Sequence, residues 1–238
     1  MVDARRDGRN RLVELVTVAP GDEARRVVPQ DTQWVRELEL ARDPLDLQAL
    51  YASAGRVLDV GAGAGRHTLF LQERGLEVVA LDVEPIAVEL MRELGVRDAR
   101  VADLWSFEDA AGFDTLLMLG GGLGLIGRVA RFPAFAQRLR ALLRPGGCAL
   151  IHSHESIPLA HQERVRHPIP AAVLIDERRG FLRYGEIIGE EFDWCWVGAA
   201  VLEQKLAPAN GLLLRSITHD AQGFHYLAVV EVAGGDRA

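Results

Sequence analysis

Short apolar runs rich in β-branched residues recur through the middle of the chain, at Arg56–Val60, Leu76–Asp82, Ala99–Ala102, Phe113–Leu119 and Cys148–His152. Between most of them the apolar residues fall three and four apart, the period of a helix with one buried face. Strand and helix periods that alternate in this way predict βαβ units and a parallel sheet. Thr68, Leu69, Leu71 and Gln72 lead the first of these helices. Pro85 stands where the next should begin, a position that needs no backbone N–H and suits the fixed φ of proline. A third helix is predicted over Phe132–Leu143, and the Pro-Gly-Gly that follows reads as a stop before the fifth strand.

Beyond Glu155 the rhythm changes. A stretch rich in Pro, His and Arg runs to Pro170, a hairpin is predicted within Gly180–Val197, and a helix over Ala199–Ala207. The chain then closes on a second hairpin, whose strand ending in Ser-Ile-Thr-His-Asp turns at Ala-Gln-Gly into Phe-His-Tyr-Leu-Ala-Val-Val-Glu-Val. At the other end, Arg11–Tyr51 is rich in charge, includes Trp34, and is expected to form a helical cap.

Composition narrows the possibilities. The 238 residues are 49% apolar, ample for a packed core. Lys and Arg number 27 against 34 Asp and Glu, a formal net charge of −7 with no basic block, so the electrostatic footprint of a nucleic-acid binder is missing. No apolar window approaches the ~18 residues of a membrane span, and no cationic start leads into a signal-like core. With only Cys148 and Cys195, a disulfide framework is not indicated. A soluble, cytoplasmic protein of a reducing compartment is expected.

The first strand ends at Asp59 and runs into Gly61-Ala62-Gly63-Ala64-Gly65-Arg66. A dinucleotide fingerprint has the form Gly-x-Gly-x-x-Gly/Ala, and its third small position falls here on Arg66, which would obstruct the close helix approach to a pyrophosphate. Glycine at every second position instead lets the backbone pass close to a ligand that needs room and carries no phosphate. Asp59 either orients this loop or accepts from a ligand ammonium. Asp82 closes the second strand, where a carboxylate can accept both hydroxyls of a ribose. Asp103 follows the third strand, and Val83, Leu104 and Trp105 offer apolar surface for a base. Asp82 as a helix cap and Asp103 as a turn residue are the structural alternatives.

Asp59-x-Gly61-x-Gly63-x-Gly65, Asp82, Asp103, a fourth strand opening at Asp114, and Leu-Leu-Arg-Pro-Gly-Gly before the fifth resemble, in that order, the class I S-adenosylmethionine-dependent methyltransferases. The resemblance covers roughly residues 55 to 153. It implies a Rossmann-like α/β fold: a seven-stranded, mostly parallel sheet with an antiparallel C-terminal hairpin and helices on both faces. It also implies one methyltransferase domain over 1–238, with a cofactor-binding core at 52–153, a substrate-side insertion at 155–198, and the helix and closing hairpin at 199–232. By the same resemblance Asp59, Gly61, Ala62, Gly63 and Gly65 border the methionine moiety of S-adenosylmethionine, Asp82 holds the ribose, and Asp103 with Leu104 holds the adenine, whose faces Val83 can cover. Leu119 opens the segment after the fourth strand, Leu119-Gly-Gly-Gly-Leu-Gly-Leu-Ile-Gly, which resembles that of bacterial small-molecule methyltransferases, although polar residues often stand where this chain has Gly121 and Gly122. Residues 183 to 197 resemble a substrate-side segment of such enzymes.

The acceptor side has fewer signals. His152, His154 and Glu155 end the fifth strand, at the edge where open α/β sheets bind ligands. His154 is the candidate general base or positioning group, with Glu155 as its support; an ordinary polar rim is the alternative. No compact ligand motif joins these histidines to His161 or His167, so no metal is expected. Trp194 and Trp196 share one strand face, as core or as a substrate wall. The function expected is methyl transfer to a small-molecule acceptor. A nicotinamide oxidoreductase and a non-catalytic S-adenosylmethionine-binding module are the rivals.

Overall fold

A computed structural model describes residues 13–18, 26–30, 44–155, 175–184, 186–206 and 211–233. Its elements are β1 (Val13–Val18), β2 (Arg26–Gln30), α1 (Pro44–Ala52), β3 (Arg56–Val60), α2 (Arg66–Glu73), β4 (Glu77–Asp82), α3 (Pro85–Glu93), β5 (Ala99–Val101) and β6 (Phe113–Met118). Two short 3-10 segments, Gly122–Ile126 and Val129–Arg131, lead to α4 (Phe132–Leu142) and β7 (Leu143–His154). The rest comprises β8 (Ile175–Tyr184), β9 (Ile187–Ile188), β10 (Phe192–Val197), α5 (Ala199–Lys205), β11 (Leu212–His219) and β12 (His225–Val232).

The larger sheet has seven strands in the order β11-β12-β7-β6-β3-β4-β5. From β7 to β5 neighbouring strands are parallel, and β12 runs antiparallel to both β7 and β11. This is the expected Rossmann-like architecture. Successive strand residues point to opposite faces and enter different cores. Leu58, Val79, Leu116 and Ile151 pack with Phe132, Phe135 and Leu139 of α4, whereas Val57, Val78, Leu117 and Leu150 pack with Leu45 and Leu50 of α1 and Leu71 of α2. Strand order reverses at β3, between β6 and β4, so the loops leaving β3 and β6 open side by side at the carboxyl edge, where such sheets hold ligands.

The helical cap expected over 11–51 is corrected in part: among the described residues of that span β1 and β2 are strands and only α1 is helical, while Trp34 lies outside the described residues. They form a second, antiparallel sheet in the order β10-β8-β1-β2, with β9 on β8. The reason is long-range: β1 lies between β2 and β8, and Leu15 pairs with Val28 on one side and Leu182 on the other. Charge along a segment carries no trace of such a partner. The Pro-Gly-Gly is also not a break before β7 but an irregularity within it, since Leu143 pairs with Phe113 and the next paired residue, Cys148, meets Thr115. No described helix is long and apolar enough to cross a membrane. Cys148 and Cys195 are both free thiols.

Candidate functional site

The loop after β3 is tied to β4 by backbone. Gly61 and Ala62 both donate to the Leu81 carbonyl at 2.9 Å, and the Gly63 amide donates to Asp82 Oδ2 at 2.8 Å. Asp82 Oδ1 accepts the Glu84 amide at 3.0 Å. Two glycines of the loop have different physical reasons. A methyl at Gly65 would lie 2.7 Å from Val96 Cγ2 and 3.0 Å from Met91 Cγ, so the bare backbone allows α2 to close on α3 and its following turn. A methyl at Gly63, at φ +58°, would meet no described residue within 4 Å. The chain there borders open space in a conformation that side-chain-bearing residues rarely adopt.

Asp59 is buried and its Oδ2 accepts from the Thr68 hydroxyl at 2.7 Å, which ties the end of β3 to α2. Burial pushes its carboxyl up, against the lowering influence of His67 and Arg66. Arg66 folds away from the loop onto Asp46 of α1 at 2.6 Å, and His67 Nε2 stands 3.1 Å from the same carboxylate. Burial raises Asp46, but His67 and Arg66 together outweigh it and hold the carboxyl below its usual range. The third small residue of a dinucleotide loop is thereby replaced by a buried ion pair.

Around the far end of β4, Val83 is exposed, Ala62 and Leu104 are buried, and Asp103 is exposed with its Oδ1 accepting the Trp105 amide at 2.9 Å. The Arg131 guanidinium covers the Trp105 ring at 3.6 Å. Leu119 is buried in the core that contains α1. Asp114 takes the Arg56 amide and the Arg144 guanidinium, each at 2.7 Å, as a structural residue would.

The turn after β6 forms the adjoining wall. A methyl at Gly120 would meet no described residue within 4 Å; one at Gly121 would lie 3.2 Å from His154 Nε2 and 3.9 Å from Trp194 Cζ2. At Gly124 it would overlap the Trp194 indole, and at Gly127 it would come within 3.1 Å of Asp193 Cβ. The glycine-rich run is therefore shaped by β10 packed over it. Arg128 pairs with Asp193 at 2.9 Å, and the Val129 amide donates to Glu177 at 2.7 Å, which adds polar ties between the second sheet and this segment.

His152 and His154 share a face of β7, with ring centroids 5.6 Å apart. A third imidazole, His225, lies opposite His154 in the β7–β12 register, 4.3 Å from it and 5.4 Å from His152. Sequence reasoning missed His225, because only the register of an antiparallel neighbour places it there. The Gly121 amide donates to His152 Nδ1 at 2.8 Å. Burial first, then His225 and His152, push His154 down to about 3, with Asp220 opposing. Glu155 does not support His154, contrary to expectation: its carboxylate accepts the Ala199 amide at the start of α5 and stands 2.7 Å from His219 Nε2. Burial pushes the Cys195 thiol up to about 12, so it is no nucleophile at neutral pH. Among the described residues no group of three or more His, Cys, Asp or Glu side chains is arranged to hold a metal ion, and His161 and His167 lie outside them.

Comparison with known proteins agrees with this geometry. A family model described as a methyltransferase domain matches residues 57–147. Uncharacterized methyltransferases of Mycobacterium tuberculosis and Mycobacterium bovis are 32% identical over 149 residues, 60% of this chain; the match spans 51%, about half, of those relatives. The Burkholderia thailandensis 1,6-didemethyltoxoflavin-N1-methyltransferase, at 21% identity and TM-score 0.55 over 83% of this chain and 80% of its own, shares the fold. An S-adenosylmethionine-dependent methyltransferase from Bacteroides fragilis, solved in complex with S-adenosylhomocysteine, is 30% identical, with TM-score 0.79 over 97% of this chain and 92% of that one. With a likeness that runs through nearly the whole of both chains, this protein belongs to the S-adenosylmethionine-dependent methyltransferases.

Proposed function

We propose that the protein binds S-adenosylmethionine across the carboxyl ends of β3, β4 and β6 and directs its methyl group onto a small-molecule acceptor by in-line displacement. The observation that carries this reading is the open space beside Gly63, bordered by a strand-end carboxylate, Asp82, that already orients the loop. A ligand with a ribose and no phosphate fits there. A pyrophosphate does not gain the small third residue it requires, because Arg66 is committed to Asp46.

In this reading Gly61, Ala62, Gly63 and Gly65 pass beside the methionine end, with Asp59 fixing the loop through Thr68. Asp82 accepts the ribose hydroxyls next to Val83, and Asp103, Leu104 and Trp105 border the adenine. S-adenosylmethionine, when bound, supplies a methyl already activated by its sulfonium. The chain's task is then to align the acceptor lone pair with the S–CH3 bond and exclude water. A net charge of −7 favours a small acceptor over a polyanionic one, and the two free cysteines fit a cytoplasmic location.

Calorimetry with S-adenosylmethionine and NADH, followed by an acceptor-library screen that reads S-adenosylhomocysteine release, tests the reading. Binding of S-adenosylmethionine with turnover is expected. Binding of NADH alone would establish the oxidoreductase, and cofactor binding without turnover on any acceptor would favour the non-catalytic module.

A further inference from the structure

We propose that His154 and Trp194 form the acceptor subsite, and that it takes a planar aromatic compound whose hydroxyl or ring N–H donates to the neutral His154 imidazole. The inference rests on the methyltransferase reading and names the acceptor class within it.

The two side chains converge on one point of the turn after β6. His154, through Nε2 at 3.2 Å, and Trp194, through Cζ2 at 3.9 Å, are the side chains nearest a methyl position at Gly121, and a methyl at the preceding residue, Gly120, would meet no described residue within 4 Å, as at Gly63. Gly63 and Gly120 follow neighbouring parallel strands, paired at Asp59 and Leu117, so the two openings adjoin. One is the cofactor's in the reading above. The other lies next to Gly121, against which the imidazole of His154 and the indole of Trp194 stand.

The wall is fixed in place. Trp194 sits over the bare backbone of Gly124, with Phe192 at 6.0 Å and Trp196 at 6.5 Å meeting it edgewise, and remains half-buried. A rigid aromatic surface of this kind favours a flat apolar body. His154, also half-buried, has no hydrogen-bond partner among the described residues, so its nitrogens are available to a ligand.

The protonation state follows from the neighbours. An imidazolium has no lone pair, so the bond from the Gly121 amide to His152 Nδ1 exists only while His152 is neutral. His225 faces His154 from β12, and burial first, then His225 and His152, disfavour a proton on His154. Two carboxylates among the described residues act on the cluster: Asp220, from the turn before β12, accepts the Phe224 amide at 2.8 Å, and Asp46 of α1, on the His152 side, is engaged by Arg66 and His67. Glu155 is turned to His219, and Gly121 and Trp194 bring no charge. His154 therefore offers a lone pair to a donor and no charge to an anion.

The test uses the full chain loaded with S-adenosylhomocysteine and two probes, 2-naphthol and 2-methoxynaphthalene, that differ in the O–H donor. Affinities are read by ligand-observed NMR at neutral pH. The wild type should bind 2-naphthol about tenfold more tightly than the ether, as one hydrogen bond allows. His154→Leu should abolish that preference, His154→Gln, which keeps an acceptor oxygen, should retain most of it, and Trp194→Leu should weaken both probes. S-adenosylhomocysteine affinity should stay unchanged in all variants. Equal affinity for the two probes, a preference that survives His154→Leu, or no binding of either probe overturns the subsite alone. Failure of S-adenosylhomocysteine to bind the wild type overturns the methyltransferase reading, and the subsite with it.

Discussion

Acid should loosen this fold through one imidazole, and the size of the effect can be worked out. His154 is held down to about 3 in the folded chain against an ordinary histidine value of 6.5. Between those values the unfolded chain binds a proton that the folded chain refuses, so the stability contributed by a neutral His154 is present above pH ~6.5 and is lost progressively as pH falls toward ~3. At pH ~5 the linkage amounts to about 2 kcal/mol, and at pH ~7 to about 0.2 kcal/mol. His154→Gln removes the titrating group while keeping a polar side chain of similar reach. Urea unfolding followed by far-ultraviolet circular dichroism, at both pH values, should therefore show the wild type losing about 2 kcal/mol more on acidification than the variant. Every other titrating group is common to both proteins and cancels in the first approximation. Equal losses in the two proteins would refute the reasoning, and so would a wild-type His154 ring that NMR finds protonated at pH 5. Because burial is the largest cause, His225→Gln should relieve only part of the depression.

Three further substitutions test the cofactor side and the wall beside it. Asp82→Ala removes a charge-assisted pair of hydrogen bonds to the ribose and should weaken S-adenosylmethionine binding by about 2 to 4 kcal/mol in calorimetry; an unchanged dissociation constant would sink the ribose assignment. Gly63→Val places a branched side chain in the open space at a φ of +58° and should abolish binding, so a variant that binds normally would show that the cofactor does not pass there. Gly124→Ala must displace the Trp194 indole and should cost about 1 to 3 kcal/mol with a shift in tryptophan fluorescence, whereas an unaltered melting temperature and spectrum would mean that β10 does not seat on this segment.

The strands and loop of the proposed cofactor side were legible because their signals are local. The apolar run of β3, the glycines after it and the carboxylate closing β4 lie within a single βαβ unit, and their spacing carries the ligand chemistry directly. What stayed hidden depends on partners distant in sequence. Val13–Val18 becomes a strand through β8, more than 150 residues later, and His225 becomes part of the site through its register with His154. Glu155 is adjacent to His154 in the chain, yet its carboxylate turns to His219 and α5. The glycines of the run after β6 are explained by distant neighbours: His154 and Trp194 lie against Gly121, Trp194 against Gly124 and Asp193 against Gly127, while Gly122 sits on Met118.

The placement of β12 between β11 and β7 sets an order of assembly on the ribosome. The strands that carry the glycine loop, Asp82 and Asp103 can pair once β6 has been synthesised, since β3, β4, β5 and β6 are sequence neighbours. The imidazole wall cannot: His225 is brought beside His154 only when the last strand inserts against β7. A nascent chain thus acquires the strands of the proposed cofactor side first and the imidazole cluster last, and the late, non-local pairing of β12 is the step on which folding speed should depend. Chains arrested before β12 would expose the edge of β7 together with His154, a surface for chaperones to recognise rather than a partly working enzyme.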